Sequence, residues 1–357
     1  MTAPAWEYGS DFHFISGYIG SPAAPWLASG QLTFSGRIAL LSLLEHLTEQ
    51  GEFDLMRGTL WLPAYTCDQM AGPLQAVGYR VRFWDGSPVT DWAWPLDSTR
   101  EGDIWLLHNY FGLDVPGRDL MPLVRERGIL IIEDHSHGPL GELALGSHAD
   151  YAFASLRKTL PLPDGGVLWS PRGRALPTVP PSAPPPLTRI AAMLGKAAYL
   201  RGELFPKGQY REWFAQAEAE LAGRRGVGLC EFSRNQLTQF DTVGWQAARD
   251  RNLRWLWARL TPSRHYSVLG TSVTGGAMGL VLHCRDGESR DQLRAQLAAH
   301  QIYSAVLWPL PDGVTADQFP QATAFQARML FLHADGRYDE EDLSRVCERL
   351  EQLEATL

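Results

Sequence analysis

The chain has 357 residues, 45% of them hydrophobic and 20% charged, with a formal net charge of −8. That length accommodates two or three domains at about 150 residues each, and the composition is that of a globular protein with a sizeable core. The acidic balance and the lack of a long basic run argue against nucleic acid as a main partner, because nothing displaces counterions from phosphates. No stretch approaches the ~20 apolar residues that span a bilayer.

The beginning of the chain lacks the basic-then-apolar pattern of a secretory signal. Cys67, Cys230, Cys284 and Cys347 lie far apart with no metal-like pairing. They read as reduced thiols, and the expected setting is cytoplasmic.

Residues 1–30 carry Gly, Pro and aromatics without a clear period and read as an arm. From Gly36 to Leu47 the apolar residues Ile38, Leu40, Leu41, Leu44 and Leu47 form a helical stripe, with Ser35 as its N-cap. Thr59 to Leu62 is a short buried strand ending at Pro63. Thr66 to Val77 reads as a helix closed by Gly78, interrupted at Gly72-Pro73.

Tyr79 to Trp84 is a strand, and so is Ile104 to Leu107, ending at His108. Leu120 to Arg127 is a helix closed by Gly128. Ile129 to Ile132, Tyr151 to Ala154 and Val167 to Trp169 complete the strands of this half. Apolar strands alternating with helices predict a mostly parallel sheet covered on both faces. Ligands bind beyond the carboxyl ends of such strands, where His108, Asp134 and Ser155 fall.

Six prolines between Pro177 and Pro186 make a stiff connector, long enough to reach across a partner. Helical patterns run from about Leu187 to Ala222 and from about Phe232 to Leu260. A second unit closes the chain: a strand Gly279–His283, a helix near Ser289–His300, strands Ile302–Trp308 and Met329–His333, and a helix from Glu340. The expected organisation is a large domain with its arm over residues 1–230 and a smaller α/β domain over 231–357.

The chemistry concentrates in three short motifs. Asp134 follows the apolar run Ile129–Ile132. Lys158 follows the next strand. Asp164-Gly165-Gly166 opens a third. Lysine is scarce, with Lys196 and Lys207 the only others. A lysine whose amine condenses with an aldehyde and a carboxylate that pairs with a pyridinium nitrogen are what an enzyme supplies to pyridoxal 5'-phosphate.

His137 is placed to meet the ring's phenolic oxygen. Ser35, Gly36 and Arg37 at a helix start, with Ser155, offer donors for a phosphate. Arg157, Arg189, Lys196 and Arg201 form a basic set suited to the diphosphate of an acceptor, Arg189 and Lys196 sharing a helix face. An ordinary solvated face fits that set equally. Asp134, His135 and His137, with His148, also fit the start of a metal site. That leaves a metal-dependent hydrolase as one alternative. A non-catalytic protein that keeps the fold is the other.

These motifs resemble the DegT/DnrJ/EryC1/StrS family, the sugar-aminotransferase branch of fold-type-I pyridoxal-phosphate enzymes. The similarity runs from about Ser35 to Leu350. Ser35-Gly36-Arg37-Ile38-Ala39-Leu40 resembles its phosphate-holding helix start, with Arg37 in place of threonine. Leu62-Pro63-Ala64-Tyr65-Thr66 resembles its Pro-x-x-Thr strand end. His108-Asn109-Tyr110-Phe111-Gly112 is similar to its His-x-Tyr-Gly. Glu133-Asp134-His135-Ser136-His137 is similar to its Glu-Asp-Ala-Ala-Gln/His, with Ser136 as the small residue beneath the ring.

Lys158 with Gly165-Gly166 resembles the lysine and its glycine turn. Ser155 stands three residues before the lysine, where relatives place serine five before. Cys67 stands where relatives often place a stacking aromatic, a role open to Tyr65 or Tyr110.

The resemblance implies a fold-type-I PLP-dependent transferase of the α/β class, acting as a homodimer. Asn235 is the best match for the asparagine that relatives donate across the dimer. Implied catalytic residues are Lys158 and Asp134. Implied cofactor contacts are Ser35, Gly36, Arg37, Tyr65, Thr66, Cys67, His108, Asp134, Ser136, His137, Ser155, Lys158 and Asn235, with no metal. The implied reaction moves an amino group from an amino-acid donor to a keto acceptor, a nucleotide-linked keto-sugar. Because Lys158 is kept, transamination is favoured over the dehydration run by relatives with histidine there.

Overall fold

The computed structural model describes residues 5–20, 24, 26–178, 180–260, 263–270 and 275–354. In chain order they form β1 (Tyr8–Gly9), α1 (Trp26–Ser29), β2 (Gln31–Thr33), α2 (Gly36–Glu49), β3 (Leu60–Pro63), α3 (Asp68–Ala76), β4 (Val81–Trp84) and β5 (Ile104–His108). Then come α4 (Met121–Glu126), β6 (Leu130–Asp134), α5 (Glu142–Leu145), β7 (Tyr151–Ser155) and β8 (Gly166–Trp169). Four helices follow: α6 (Leu187–Leu200), α7 (Lys207–Ala222), α8 (Glu231–Gln239) and α9 (Thr242–Arg259). The last elements are β9 (Tyr266–Leu269), β10 (Gly279–Cys284), α10 (Gly287–Ala299), β11 (Ile302–Tyr303), α11 (Pro320–Arg328), β12 (Met329–His333) and α12 (Glu340–Glu354).

The central sheet has seven strands in the order β2-β8-β7-β6-β5-β3-β4. Pairings from β4 through β3, β5 and β6 to β7 are parallel. Only β8 is reversed: it pairs antiparallel with β7 on one side and with the edge strand β2 on the other, so β2 runs in the common direction. The strands are apolar without alternation because both faces are covered. Leu60, Leu62, Ile104, Leu106 and Ile132 pack into one core with α2. Trp61, Trp105, Leu107 and Ile131 pack into another with Met121 and Val124 of α4.

Beyond the helices, β12-β10-β9 make a three-stranded antiparallel sheet whose core includes Leu280, Leu330, Leu343 and Leu350. The arm crosses to this part of the molecule. Tyr8 and Gly9 pair in parallel with Ile302 and Tyr303.

The structure corrects three expectations. The helical stretch 187–222 is two helices, α6 and α7, parted at Gly202–Pro206, where Gly202 adopts φ 75° and Pro206 caps the second helix. The stretch 232–260 is likewise two, because Phe240 leaves helical geometry and Asp241 caps α9 by accepting from the Gly244 amide at 2.9 Å. The strand expected over 302–308 stops at Tyr303, and Ala305 bonds only locally with Phe331. The proline connector stays close to its own chain, its Ala183 amide donating to Gly228 at 3.2 Å. Among the described residues, no helix is long and apolar enough to cross a membrane.

Candidate functional site

A cavity of about 570 Å³ opens at the carboxyl ends of the parallel strands. One end is set by the start of α2. Ser35 is extended and caps the helix, its Oγ accepting from the Ile38 amide at 3.3 Å. Gly36 is required there for a steric reason, since a Cβ would sit 3.0 Å from the Ser155 nitrogen. The same holds for Gly166, whose Cβ would lie 2.3 Å from the Ser35 carbonyl carbon. The two glycines let α2, β7 and β8 close together, so that Ser35, Gly36 and Arg37 share the cavity wall with Ser155 and Arg157.

Arg37 hydrogen-bonds Gln69 Oε1 and the Leu221 carbonyl, each at 3.2 Å. Burial lowers the affinity of its guanidinium for a proton, and the neighbouring Arg157 cation lowers it further. This end of the cavity is built for negative charge.

The other end is built around Asp134 at the tip of β6. Its Oδ1 accepts the Ser136 amide at 2.8 Å, and its Oδ2 lies 3.4 Å from His108 Nδ1. The Thr66 hydroxyl meets His108 Nε2 at 2.7 Å. Burial alone would raise the Asp134 carboxyl, but His108, the Lys158 ammonium and the Ser136 amide outweigh it and hold it well below the usual carboxylate range. Asp134 is therefore a buried anion near Lys158, able to accept a proton-bearing nitrogen.

His137 Nδ1 accepts the Phe111 amide at 3.1 Å. Burial and the Lys158 cation push its pKa well below the ordinary value, so the ring is neutral and carries its proton on Nε2. Ser136 Oγ accepts the Ser155 amide at 2.9 Å, which ties the tip of β6 to that of β7.

Lys158 ends a short 3₁₀ turn, Leu156–Lys158, directly after β7. Its Nζ lies 5.6 Å from the centre of the Trp308 ring, which also stacks on His137 at 5.0 Å. The turn is fixed from behind. The Thr159 carbonyl accepts from Trp245 Nε1 at 2.8 Å and from Arg249 at 2.5 Å, both on α9.

Of the residues expected at the site, Ser35, Gly36, Arg37, Cys67, Ser136, Ser155 and Lys158 line the cavity. Asp134, His108, His137 and Thr66 are buried beside it rather than in its wall, Asp134 and His137 within electrostatic reach of Lys158. Two do not join it. Tyr65 is buried in an aromatic cluster, stacked on Tyr110 at 5.5 Å with its hydroxyl on the Leu307 carbonyl. Neither tyrosine is in the cavity wall, whereas Cys67 is. Asn235 is exposed on α8, away from the cavity.

The basic set on α6 is also corrected. Arg189 and Lys196 do share a face, but it is the buried one: Arg189 pairs with Asp11 and Glu218, and Lys196 with Glu7 at 2.8 Å. Arg201 is paired with Glu203 at 2.7 Å.

The metal reading fails on direction. His135 Nε2 meets Glu133 at 2.8 Å and its Nδ1 meets Asn109, while His137 faces Phe111 and His148 is exposed. No group of three or more metal-ligating side chains exists among the described residues. Trp308 and Glu218 were not legible in the sequence as site residues. They reach the cavity from distant segments, and no local pattern marks them.

No family model and no curated protein matches this sequence. Solved structures do. Spr1654 from Streptococcus pneumoniae, assigned as a sugar aminotransferase and solved in its PLP form, shares 14% identity over 96% of this chain and 93% of its own, with a TM-score of 0.64. A DegT DnrJ EryC1 StrS aminotransferase from Brucella abortus shares 16% over 95% of this chain and 92% of its own, at 0.60. DesI, solved with its TDP-sugar product, shares 16% over 91% and 80%, also at 0.60. The fold is that of the fold-type-I PLP-dependent transferases, and within them of DegT/DnrJ/EryC1/StrS-type aminotransferases.

Proposed function

We propose that this chain is a pyridoxal-phosphate-dependent aminotransferase that moves an amino group from an amino-acid donor to a keto acceptor. One observation carries the reading: a buried, ionised Asp134 lies within electrostatic reach of the Lys158 amine, and Lys158 lines a cavity whose wall also holds the start of α2 and the guanidinium groups of Arg37 and Arg157. A pyridoxal phosphate fits that polarity. Its phosphate matches the Ser35–Arg37 end and its ring nitrogen matches Asp134, with Gly36 and Ser136 leaving room for close approach.

When bound, the cofactor supplies an electron sink for the carbanion formed at the donor's α-carbon. Asp134 keeps the ring nitrogen protonated by holding its own negative charge. His108 and Thr66 fix the orientation of Asp134. His137 offers its Nε2 proton to the phenolic oxygen. Lys158 would hold the cofactor through its amine and, once free, would serve as the base that moves a proton at the donor's α-carbon. Trp308 covers Lys158 and His137 and limits water there.

DesI's TDP-sugar product supports a nucleotide-linked keto-sugar as the acceptor. By family resemblance the working unit is a homodimer to which Asn235 contributes across the interface. Borohydride treatment of the loaded protein, followed by peptide mapping, should fix a pyridoxyl group on Lys158, in a species that light scattering reports as a dimer. An adduct on Lys196 or Lys207 instead would overturn the assignment.

A further inference from the structure

The cavity holds one side chain that the mechanism above leaves without a task. Arg157 precedes Lys158 and lines the same cavity, yet its guanidinium is occupied. It donates to both carboxylate oxygens of Glu218, at 2.8 and 3.1 Å. Glu218 in turn has a second cation, Arg189, which reaches it from behind and also holds Asp11 at 3.1 Å.

The two guanidiniums differ in freedom. The Arg157 side chain is 22% exposed and that of Glu218 49%, while that of Arg189 is 5% exposed. An ion pair partly open to water is weak and exchanges readily. Arg189 is buried and cannot follow. Arg157 can therefore leave Glu218 without stranding its charge, because Arg189 stays.

On the cavity side, Arg157 lies close enough to Arg37 for the two cations to oppose each other's charge. The hydrogen bonds made by Arg37 go to neutral oxygens of Gln69 and Leu221. Of the two guanidiniums in the cavity wall, only that of Arg157 is hydrogen-bonded to a carboxylate, which it shares with the buried Arg189.

We infer that Arg157 is an exchangeable anion clamp: a phosphate monoester entering the cavity takes Arg157 from Glu218, and Glu218 remains with Arg189. Glu218 is then a resident competitor that neutralises the clamp while the cavity is empty. This rests on the proposed function for the identity of the phosphate monoester as the cofactor's, but the exchange itself does not. The nearness of Arg157 to Arg37, Gly36 and Ser155 favours the phosphate over a donor carboxylate as the displacing anion.

The test titrates three proteins with pyridoxal phosphate, pyridoxal and inorganic phosphate, reading absorbance for the first two and the shift in Tm for the third. Arg157→Gln should weaken pyridoxal phosphate about 10- to 100-fold, the weight of a charge-assisted hydrogen bond. It should leave pyridoxal within about twofold and abolish the stabilisation by inorganic phosphate. Arg157→Lys should recover part of the loss. Glu218→Gln should tighten pyridoxal phosphate, because the competitor has lost its charge.

Equal weakening of pyridoxal and pyridoxal phosphate in Arg157→Gln would overturn the proposal. So would wild-type affinity for pyridoxal phosphate with only donor affinity lost. If the wild-type protein forms no adduct at Lys158 with either aldehyde, the functional reading falls by itself. Inorganic phosphate with the wild type and Arg157→Gln then still decides the clamp.

Discussion

At the scale of single residues, the site depends on which groups stay charged in a buried setting. Asp134 remains ionised although burial works against it, and His137 stays neutral because burial and Lys158 both oppose its protonation. Asp134→Asn keeps the shape and removes the charge. Cofactor binding should survive through Lys158, while proton abstraction in the donor half-reaction slows by about 10²–10³-fold, the usual weight of a preorganised electrostatic partner. Single-turnover absorbance measures both, and near-normal turnover would take Asp134 out of the mechanism. The positions of Asp134 at the tip of β6 and of Lys158 just after β7 were legible because each follows an apolar run and few lysines compete. The packing of Tyr65 was not legible, because an aromatic at a strand end looks the same whether it faces a cavity or a neighbouring ring. Only the packing of Tyr65 on Tyr110 and Phe325 decides it.

At the scale of elements, the strands of the central sheet were readable to within a few residues, because strands covered on both faces must be apolar throughout. The helix pairs α6–α7 and α8–α9 were not separated in advance, since helical periodicity continues in composition across a break that a cap and a turn impose. The basic face of α6 inverted for a related reason. Spacing tells which residues share a face, but burial of that face follows from Glu7, Asp11 and Glu218, which lie elsewhere in the chain.

The junction of β8 with α2 gives a sharp test. A Cβ at Gly166 would meet backbone at 2.3 Å, and backbone at a sheet edge has little room to yield. Gly166→Ala should cost about 1–3 kcal/mol or more. It should also displace Ser35 and Gly36, so that thermal stability and pyridoxal phosphate affinity fall together. Gly173→Ala, at a position where an added Cβ meets nothing within 4 Å but φ is 70°, serves as a control for strain alone.

At the scale of the whole molecule, two buried carboxylates link stability to pH. Burial would raise Glu7, but Lys196 and Lys207 bring it down to about 2. Burial would raise Glu133, but His135 and Arg118 bring it down to about 2. Both pKa values fall on folding from 4.5, so each pairing stabilises the protein fully above that pH and is lost as pH drops from 4.5 towards 2. Each contributes about 2–3 kcal/mol by linkage. Urea midpoints measured from pH 7 to pH 3 should therefore fall steeply below pH ~4.5. Glu133→Gln should lower the neutral-pH midpoint, because Arg118 loses its partner, and flatten the acid limb. An unchanged acid limb would place the linkage elsewhere.

The pairing of β1 with β11 also sets an order of assembly. Residues 8 and 9 leave the ribosome about 290 residues before their strand partner, Ile302 and Tyr303. Chains grow at about 5–20 residues per second, so the arm waits many seconds without that partner. Glu7 can meet Lys196 and Lys207 earlier, once α6 and α7 exist. The arm is thus tethered by charge first and fastened by backbone hydrogen bonds only after β11 has been made. In refolding, pulse-labelled amide exchange should find Tyr8 protected after the central sheet is formed. Protection of Tyr8 together with β5 and β6 would show instead that the two ends of the chain come together before its middle is complete.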